Sequence, residues 1–90
     1  MFYLKYSKKF KKDLKLFKND KGLLLNLEEI LNIITKKGNI PSKYKLHQLK
    51  GEFKNCFKCH IKPDVLLIYK TKKEEALILL LRIGSHSDLF

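Results

Sequence analysis

The chain has 90 residues, of which 44% are hydrophobic and 32% are charged, a composition that predicts one globular domain over residues 1–90 and argues against a disordered protein. Its 20 Lys and Arg residues outnumber 9 Asp and Glu residues, which gives a formal net charge of +11. Such a field attracts polyanions, of which nucleic acid is the commonest, although an acidic protein partner or a generally lysine-coated surface fits the charge as well.

The sequence shows no targeting or membrane segment. Residues 1–10 contain lysines but no apolar core of a signal peptide, and the longest apolar run, residues 76–81, is far shorter than the ~20 residues that a membrane helix needs. We therefore expect a cytoplasmic protein without a membrane partner, in which Cys56 and Cys59 are reduced.

The first half of the chain has the spacing of one short strand and two helices. Residues 2–4 favour a strand, and Ser7 after them is a suitable helix N-cap. Apolar residues then recur at helical spacing in two segments separated by a break at residues 19–22, namely Phe10, Leu14 and Phe17, and then Leu23, Leu27, Ile30, Leu31 and Ile34. Gly38 follows the second segment and ends it. This pattern predicts an antiparallel helical hairpin.

The second half of the chain has the patterning of strands. Strands are predicted around residues 46–49, 53–61, 65–69 and 76–83, with a turn at residues 62–64 and a short tail at residues 85–90. The element order is therefore β-α-α-β-β-β-β. This order predicts an α+β fold in which an N-terminal strand and a helical hairpin pack on one face of a small antiparallel sheet.

Three histidines lie in the strand-rich half, His47, His60 and His86, together with Asp64 and Arg82. RNA can be cut by its own 2′-hydroxyl when a base removes the hydroxyl proton, an acid protonates the leaving 5′-oxygen and a cation stabilises the phosphate. Histidine suits either proton role near neutral pH, and arginine binds phosphate through a fork of donors. The residue types therefore fit a metal-free ribonuclease, but three histidines are unremarkable in a chain of this length, and spacing alone leaves a structural role open.

Two further patterns, a haem-attachment motif and a set of metal ligands, give weaker evidence for function than the ribonuclease residues. Cys56, Cys59 and His60 match the C-x-x-C-H motif of c-type haem attachment, but the chain has no export signal and Met1 is its only methionine. Residues three apart in a strand also point to opposite faces, where they cannot easily join one haem or form a disulfide. The histidines and Asp64 could in principle bind a metal, but no pair has the spacing of ligands on one helix face. We expect neither a metal nor a cofactor.

Four motifs occur in order in the second half: HQLKG at residues 47–51, CHIKPD at 59–64, LLIY at 66–69 and RIGSHSDLF at 82–90. Together they resemble the YafQ-type toxins of the RelE/ParE toxin–antitoxin superfamily. The motifs cover half of the chain, and the helical first half has the layout that the family leads one to expect. The resemblance implies a RelE-like fold and a type II toxin that acts as an endoribonuclease on messenger RNA at the ribosome.

The resemblance also implies a catalytic site on the open face of the sheet, with six motif residues in it: His47, His60, Asp64, Arg82, His86 and Phe90. By its chemistry His86 is the expected general acid. His47 or His60 would then be the general base, with Asp64 orienting or assisting an imidazole.

The remaining site residues are expected to bind the RNA. Arg82 would neutralise the phosphate, and Phe90 would stack on a base beside the scissile bond. Three lysines are expected to contact the RNA backbone: Lys50, Lys54 and Lys62. The chain departs from the family where many relatives have Arg-Glu and here Phe57 and Lys58 stand, and where many have an aromatic residue and here Val65 stands. A sequence preference should therefore not be transferred from relatives.

The family further implies a neutralising antitoxin, an acidic protein encoded beside the toxin. We expect the free toxin to be a monomer and the toxin–antitoxin complex to be a higher oligomer. Two alternatives stay open: a gyrase-inhibiting toxin of the same fold, a branch that lacks the histidine set, and a non-catalytic nucleic-acid-binding module, which the lysine-rich surface would suit equally well.

Overall fold

The computed structural model describes residues 1–51 and 55–90. Within them lie strands β1 (Tyr3–Tyr6), β2 (His47–Gln48), β3 (Cys56–Lys62), β4 (Val65–Lys72) and β5 (Leu77–Gly84), helices α1 (Lys8–Lys15), α2 (Lys21–Thr35) and α3 (His86–Leu89), and 3₁₀ turns at Ser42–Tyr44 and Lys73–Glu75. The predicted order β-α-α-β-β-β-β is confirmed, with α3 in place of the predicted tail. The strand predicted at residues 53–61 is seen from Cys56 onward, and residues 53 and 54 lie outside the described residues.

The two longer helices begin at side-chain caps. Ser7 Oγ accepts a hydrogen bond of 3.0 Å from the Phe10 amide, and Asp20 Oδ1 accepts one of 3.1 Å from the Leu23 amide. Each cap satisfies an amide that has no partner inside its helix. With 8 residues, α1 is below the ~12–15 residues at which isolated helices become stable, so its contacts with the sheet must stabilise it.

The five strands form one sheet in the order β1-β5-β4-β3-β2. Neighbouring strands from β2 to β5 pair antiparallel, whereas β1 pairs in parallel with β5, with Tyr3 opposite Leu77 and Tyr6 opposite Leu80. The predicted α+β class is confirmed, and the sheet departs from a purely antiparallel one at this pair alone among the described strands. The helices carry the chain from the β1 edge to the β2 edge, and after three antiparallel steps β5 runs in the direction of β1.

Helices α1 and α2 cover one face of the sheet. Their buried apolar side chains pack in one cluster with alternate residues of β3, β4 and β5: Phe10, Leu23, Leu27, Ile30 and Ile34 from the helices, and Cys59, Ile61, Leu67, Tyr69, Ile78, Leu80 and Ile83 from the strands. The helical residues are the ones whose spacing predicted the amphipathic helices. The placement of the hairpin on one face is therefore confirmed.

The opposite side of the sheet, which we call the open face, carries the alternate residues of the strands. Leu66 and Ile68 flank Leu67 in β4, so their side chains point away from the helices, and each is only 1% exposed. Helix α3 folds back toward the end of β5. A methyl group at Gly84 would lie 3.3 Å from Leu89 Cδ2, so glycine at this position allows the helix to approach the strand closely.

The cysteines of the C-x-x-C-H stretch are separate free thiols. Cys59 belongs to the helix-side core, whereas Cys56, three residues earlier in β3, is buried outside that cluster. The alternation of side chains in a strand places them on opposite faces, as predicted. Burial raises the pKa of the Cys59 thiol to about 12, which keeps it protonated at neutral pH. Among the described residues no helix is long and apolar enough to cross a bilayer.

Candidate active site

The register of the sheet brings together residues that are far apart in the sequence. Directly opposite residues of antiparallel strands point to the same side of the sheet, and they form two rows on the open face. The first row crosses four strands and consists of His47, Lys58, Ile68 and Arg82. The second row consists of His60, Leu66 and Gly84. Two of the predicted site histidines and the predicted phosphate-binding arginine therefore share this face.

Helix α3 adds the third histidine and a ring. Ser85 caps the helix, with its Oγ accepting a hydrogen bond of 3.1 Å from the Asp88 amide. One turn later Phe90 lies against His86, with 5.1 Å between the ring centroids, and Lys58 Nζ lies 5.7 Å from the centroid of the Phe90 ring. Phe90 is 51% exposed, so this ring is not a core residue. The C-terminal segment thus contacts the first row of the open face through Lys58.

His60 is held by a backbone carbonyl. Its Nδ1 lies 3.3 Å from the Pro63 carbonyl oxygen, and because that oxygen can only accept, the contact is a hydrogen bond when Nδ1 carries the proton. That tautomer leaves the lone pair on Nε2 to accept a proton. Asp64, in the exposed turn after β3, makes no hydrogen bond or ion pair with a histidine within residues 1–51 and 55–90. The structure therefore orients His60 through Pro63 and not through Asp64.

Arg82 is paired with a residue that the sequence analysis did not identify. Its Nε donates to Asp13 Oδ2 at 2.7 Å, and its Nη2 donates to Asp13 Oδ1 at 3.1 Å. Asp13 Oδ2 also accepts a hydrogen bond of 3.1 Å from the Ile83 amide. Both carboxylate oxygens are thus engaged, and Asp13 is fixed to the backbone of β5 next to the arginine it binds.

These contacts change the pKa of the Asp13 carboxyl. Burial alone would raise it, but the hydrogen bonds from Arg82 and the Ile83 amide, with the charges of Arg82 and Lys9, lower it below the ordinary value of 3.8. The hydrogen bond to Asp13 raises the pKa of Arg82 in turn. The pair is therefore ionised at neutral pH, and the carboxylate offsets part of the arginine charge.

The lowered pKa predicts a loss of stability in acid. A carboxyl with a lowered pKa in the folded state stabilises the protein above its ordinary pKa of 3.8, and that contribution disappears as the pH falls through the lowered value. Asp13→Asn should therefore flatten the fall in melting temperature between about pH 5 and pH 2, whereas the exposed control Glu28→Gln should keep the wild-type slope. Melting curves followed by circular dichroism measure this, and equal slopes for wild type and Asp13→Asn would contradict it.

The three lysines expected to bind RNA have different surroundings. Lys50 is exposed, and Lys54 lies outside the described residues. Lys62 Nζ forms an ion pair with Asp20, the N-cap residue of α2, at 2.9 Å, and this contact lowers the pKa of the Asp20 carboxyl. The ammonium of Lys62 is therefore directed to the start of α2, where it also holds the end of β3 against the helix layer.

A groove of about 370 Å³ opens beside Arg82, lined by Ser7, Lys8, Lys9, Ile68, Leu81, Arg82 and Leu89. Its basic residues come from the first turn of α1 and from β5. Such a combination of an apolar floor and a cationic rim fits a nucleic-acid strand. Within the part of the chain that the structure describes, no three His, Cys, Asp or Glu side chains converge as a metal site would require.

Two residues of this region were missed by the sequence analysis as members of the site. Lys58 was noted only as a departure from the family, although the register places it beside His47. Asp13 carries a signal that could have been used: it is the one acidic residue of α1, whose sequence is KKFKKDLK. A lone carboxylate among lysines on a helix indicates a specific cationic partner, but the sequence does not say which one.

Comparison with known protein families assigns this small basic α+β protein to a class, the toxins of type II toxin–antitoxin systems. Residues 2–90 match the family described as "Bacterial toxin of type II toxin-antitoxin system, YafQ". The chain belongs to the YafQ toxin family.

Individual relatives support this assignment. The mRNA interferase toxin YafQ of Escherichia coli K12 is 31% identical over 88 residues, which are 97% of this chain and 94% of the relative. A crystal structure of a metal-bound toxin from Helicobacter pylori is 42% identical with a TM-score of 0.92, and the similarity covers all of both chains. The E. coli DinJ–YafQ complex contains a chain that is 31% identical with a TM-score of 0.85, over 100% of this chain and 99% of that one.

Proposed function

We propose that this chain is an mRNA interferase, a type II toxin that cuts messenger RNA on the ribosome by metal-free acid–base catalysis through the 2′-hydroxyl. The observation that carries the proposal is the gathering of His47, His60 and Arg82 on the open face, with His86 and Phe90 joined to it through Lys58. Curated relatives of the family are named as mRNA interferases, which supports the same activity here.

The proton transfers are assigned to the histidines. His86 is the general acid that protonates the leaving 5′-oxygen, because it lies on α3 against the ring that is proposed to hold a base. His60 is the better candidate for the general base, since the contact of Nδ1 with the Pro63 carbonyl leaves Nε2 to accept the 2′-hydroxyl proton. His47, in the first row, is the alternative base. Asp64, in the turn after β3, is proposed to assist the imidazole of His60 by its negative charge and not by a direct hydrogen bond.

The phosphate and the base are bound by the remaining residues. Arg82 and Lys58 lie on either side of Ile68 in the first row, so a phosphate bound between the two side chains would be close to two positive charges. Phe90 is half exposed beside Lys58 and His86, and it stacks on a base next to the scissile bond. Lys50, Lys54 and Lys62 add positive charge for the RNA backbone, with the share of Lys62 reduced by its pairing with Asp20.

The whole chain, residues 1–90, works as one toxin domain, and its partner is a cognate acidic antitoxin. The DinJ–YafQ complexes of E. coli support such a partner, and the net charge of +11 suits an acidic inhibitor. We place the activity in the cytoplasm, where ribosomes are found. The free toxin is proposed to be a monomer and its complex with the antitoxin a higher oligomer.

Inducing the chain alone in cells tests the proposal. Growth and protein synthesis should stop within minutes while new 5′ ends appear inside coding regions, and a His86→Ala version at the same level should leave messages intact. Mapping of transcript 5′ ends after brief induction measures this. Growth arrest with intact messages and accumulating DNA breaks would favour the gyrase-inhibiting alternative. Intact messages with RNA bound to the protein would favour the non-catalytic module.

A further inference from the structure

We infer that Asp13 is a positioning residue that aims the Arg82 guanidinium at the scissile phosphate. The inference rests on the proposed function, because it gives Arg82 a phosphate to bind. Neither the motifs of the second half of the chain nor the proposed histidine chemistry involves α1, so Asp13 would bring the N-terminal half of the chain into the reaction.

The geometry of the pair leaves the correct edge of the arginine for a phosphate. Asp13 binds Arg82 side-on, through Nε and Nη2, at 2.7 and 3.1 Å. These two bonds use two of the five N–H donors of a guanidinium. The end-on edge, between Nη1 and Nη2, is not engaged by Asp13 and has the spacing that binds two oxygens of one phosphate. An arginine bound along one edge by a fixed carboxylate can thus present the other edge in one orientation.

The carboxylate is itself fixed to the strand that carries Arg82. Strand β1 pairs only with the first half of β5, from Leu77 to Leu80, and beyond that point α1 follows the same edge. The Ser7 amide donates to the Leu80 carbonyl at 3.0 Å, Ser7 Oγ donates to the Leu81 carbonyl at 2.8 Å, and the Ile83 amide donates to Asp13 at 3.1 Å. Ser7 and Asp13 therefore bind backbone groups of β5 where its pairing with β1 ends. These hydrogen bonds attach α1 to the strand and fix Asp13 relative to Arg82.

Burial agrees with a positioning role. The Asp13 side chain is 15% exposed and the Arg82 side chain is 34% exposed, so the arginine is more accessible to a ligand than the carboxylate that binds it. The basic groove of about 370 Å³ is lined by Arg82 and not by Asp13. An RNA strand in that groove would meet the arginine and not the carboxylate.

A positioning carboxylate predicts opposite effects on binding and on rate. Removing its charge leaves the arginine more positive, so the affinity for RNA should be unchanged or higher. The guanidinium would then no longer be held in one orientation, and errors of about 1 Å in position can cost up to ~10²-fold in rate. We expect Asp13→Asn to lower the saturating single-turnover cleavage rate by about tenfold or more, with no loss of affinity. A residue that only stabilised the fold would change neither quantity below the melting temperature.

The experiment combines Asp13→Asn and Arg82→Ala, singly and together, in the full-length toxin, with Glu28→Gln as the charge-matched control. Affinity is measured on an RNA that carries 2′-deoxyribose at the scissile position, and single-turnover cleavage is measured on messenger RNA bound to ribosomes, below the lowest melting temperature of the set. We expect the double variant to cleave no more slowly than Arg82→Ala alone, because Asp13 acts only through the arginine. Glu28→Gln should match wild type.

The outcomes separate this inference from the function on which it rests. Wild-type cleavage by Asp13→Asn, together with slow cleavage by Arg82→Ala, would overturn the positioning role alone. A double variant slower than Arg82→Ala by the full Asp13→Asn factor would also overturn it, because the two residues would then act independently. A wild-type toxin that binds the RNA but never cleaves messages would overturn the proposed function, and the inference with it. Lower affinity in Asp13→Asn would contradict the electrostatic argument and reject the assignment.

Discussion

Replacing His86 with alanine should lower the single-turnover rate of RNA cleavage by about 10²–10⁴-fold, the range that a positioned general acid contributes. His86 is exposed on α3, and its ring centroid lies 5.1 Å from that of Phe90. Its removal should therefore leave the melting temperature and the lysine-driven affinity for RNA nearly unchanged. The combination of a large loss in rate with an intact fold would identify a residue that acts in the chemical step.

The neighbouring variant Ser87→Ala is a matched control, since Ser87 is exposed on the same short helix. It should cleave at the wild-type rate, whereas His86→Gln should be as slow as His86→Ala because an amide cannot transfer the proton. Full cleavage by His86→Ala would remove His86 from the mechanism. If Ser87→Ala and His86→Ala both cleave more slowly, and both also melt at a similarly lowered temperature, the result would instead indicate a structural role of α3.

Much of the fold could be predicted because its signals are local. The spacing of Leu23, Leu27 and Ile30 predicted the core face of α2, and the buried residues observed there are the same ones. Ser7 was predicted as an N-cap and caps α1, whereas Asp20, which caps α2, lies within the predicted break at residues 19–22. The apolar run at residues 65–69 predicted a strand, and Val65 to Tyr69 are buried in β4.

The partners of the site residues could not be predicted, because they are set by contacts between distant parts of the chain. Asp13 and Arg82 are separated by 69 positions, and no periodic pattern links a helix carboxylate to one arginine at that distance. The parallel pairing of β1 with β5 has the same origin, since strand direction at a sheet edge depends on where the chain has travelled. Asp64 was expected to orient or assist an imidazole, and the contact that the structure shows on His60 Nδ1 is the Pro63 carbonyl oxygen, a backbone partner that residue types do not reveal.

The motifs named three residues that the structure brings to one face of the sheet. His47, His60 and Arg82 come from three different strands, and only the register of the sheet places them on one side. The resemblance to a toxin family named these residues together, although nothing in their spacing along the chain links them. Lys58 shows the limit of such a transfer: the position departs from the family, so its place beside His47 and Phe90 became visible only in the structure.

The second large effect concerns the substrate. If the 2′-hydroxyl is the nucleophile, a message with 2′-deoxyribose at the scissile nucleotide should not be cut there, a loss larger than that of any single side-chain change in the toxin. The upstream product of normal RNA should end in a 2′,3′-cyclic phosphate and the downstream product in a 5′-hydroxyl. The deoxy substrate should still bind, because the phosphates that attract the lysines are retained.

Cleavage of paired substrates that differ only by that hydroxyl, with analysis of the product ends, is the most direct test of the histidine mechanism. Rapid cutting of the ribose substrate to cyclic-phosphate ends, and no cutting of the bound deoxy substrate, is the expected result. Cutting of the deoxy substrate, or products with 5′-phosphate ends, would show that an external water attacks the phosphate, and would contradict the assignment of His47 or His60 as the base for an internal nucleophile.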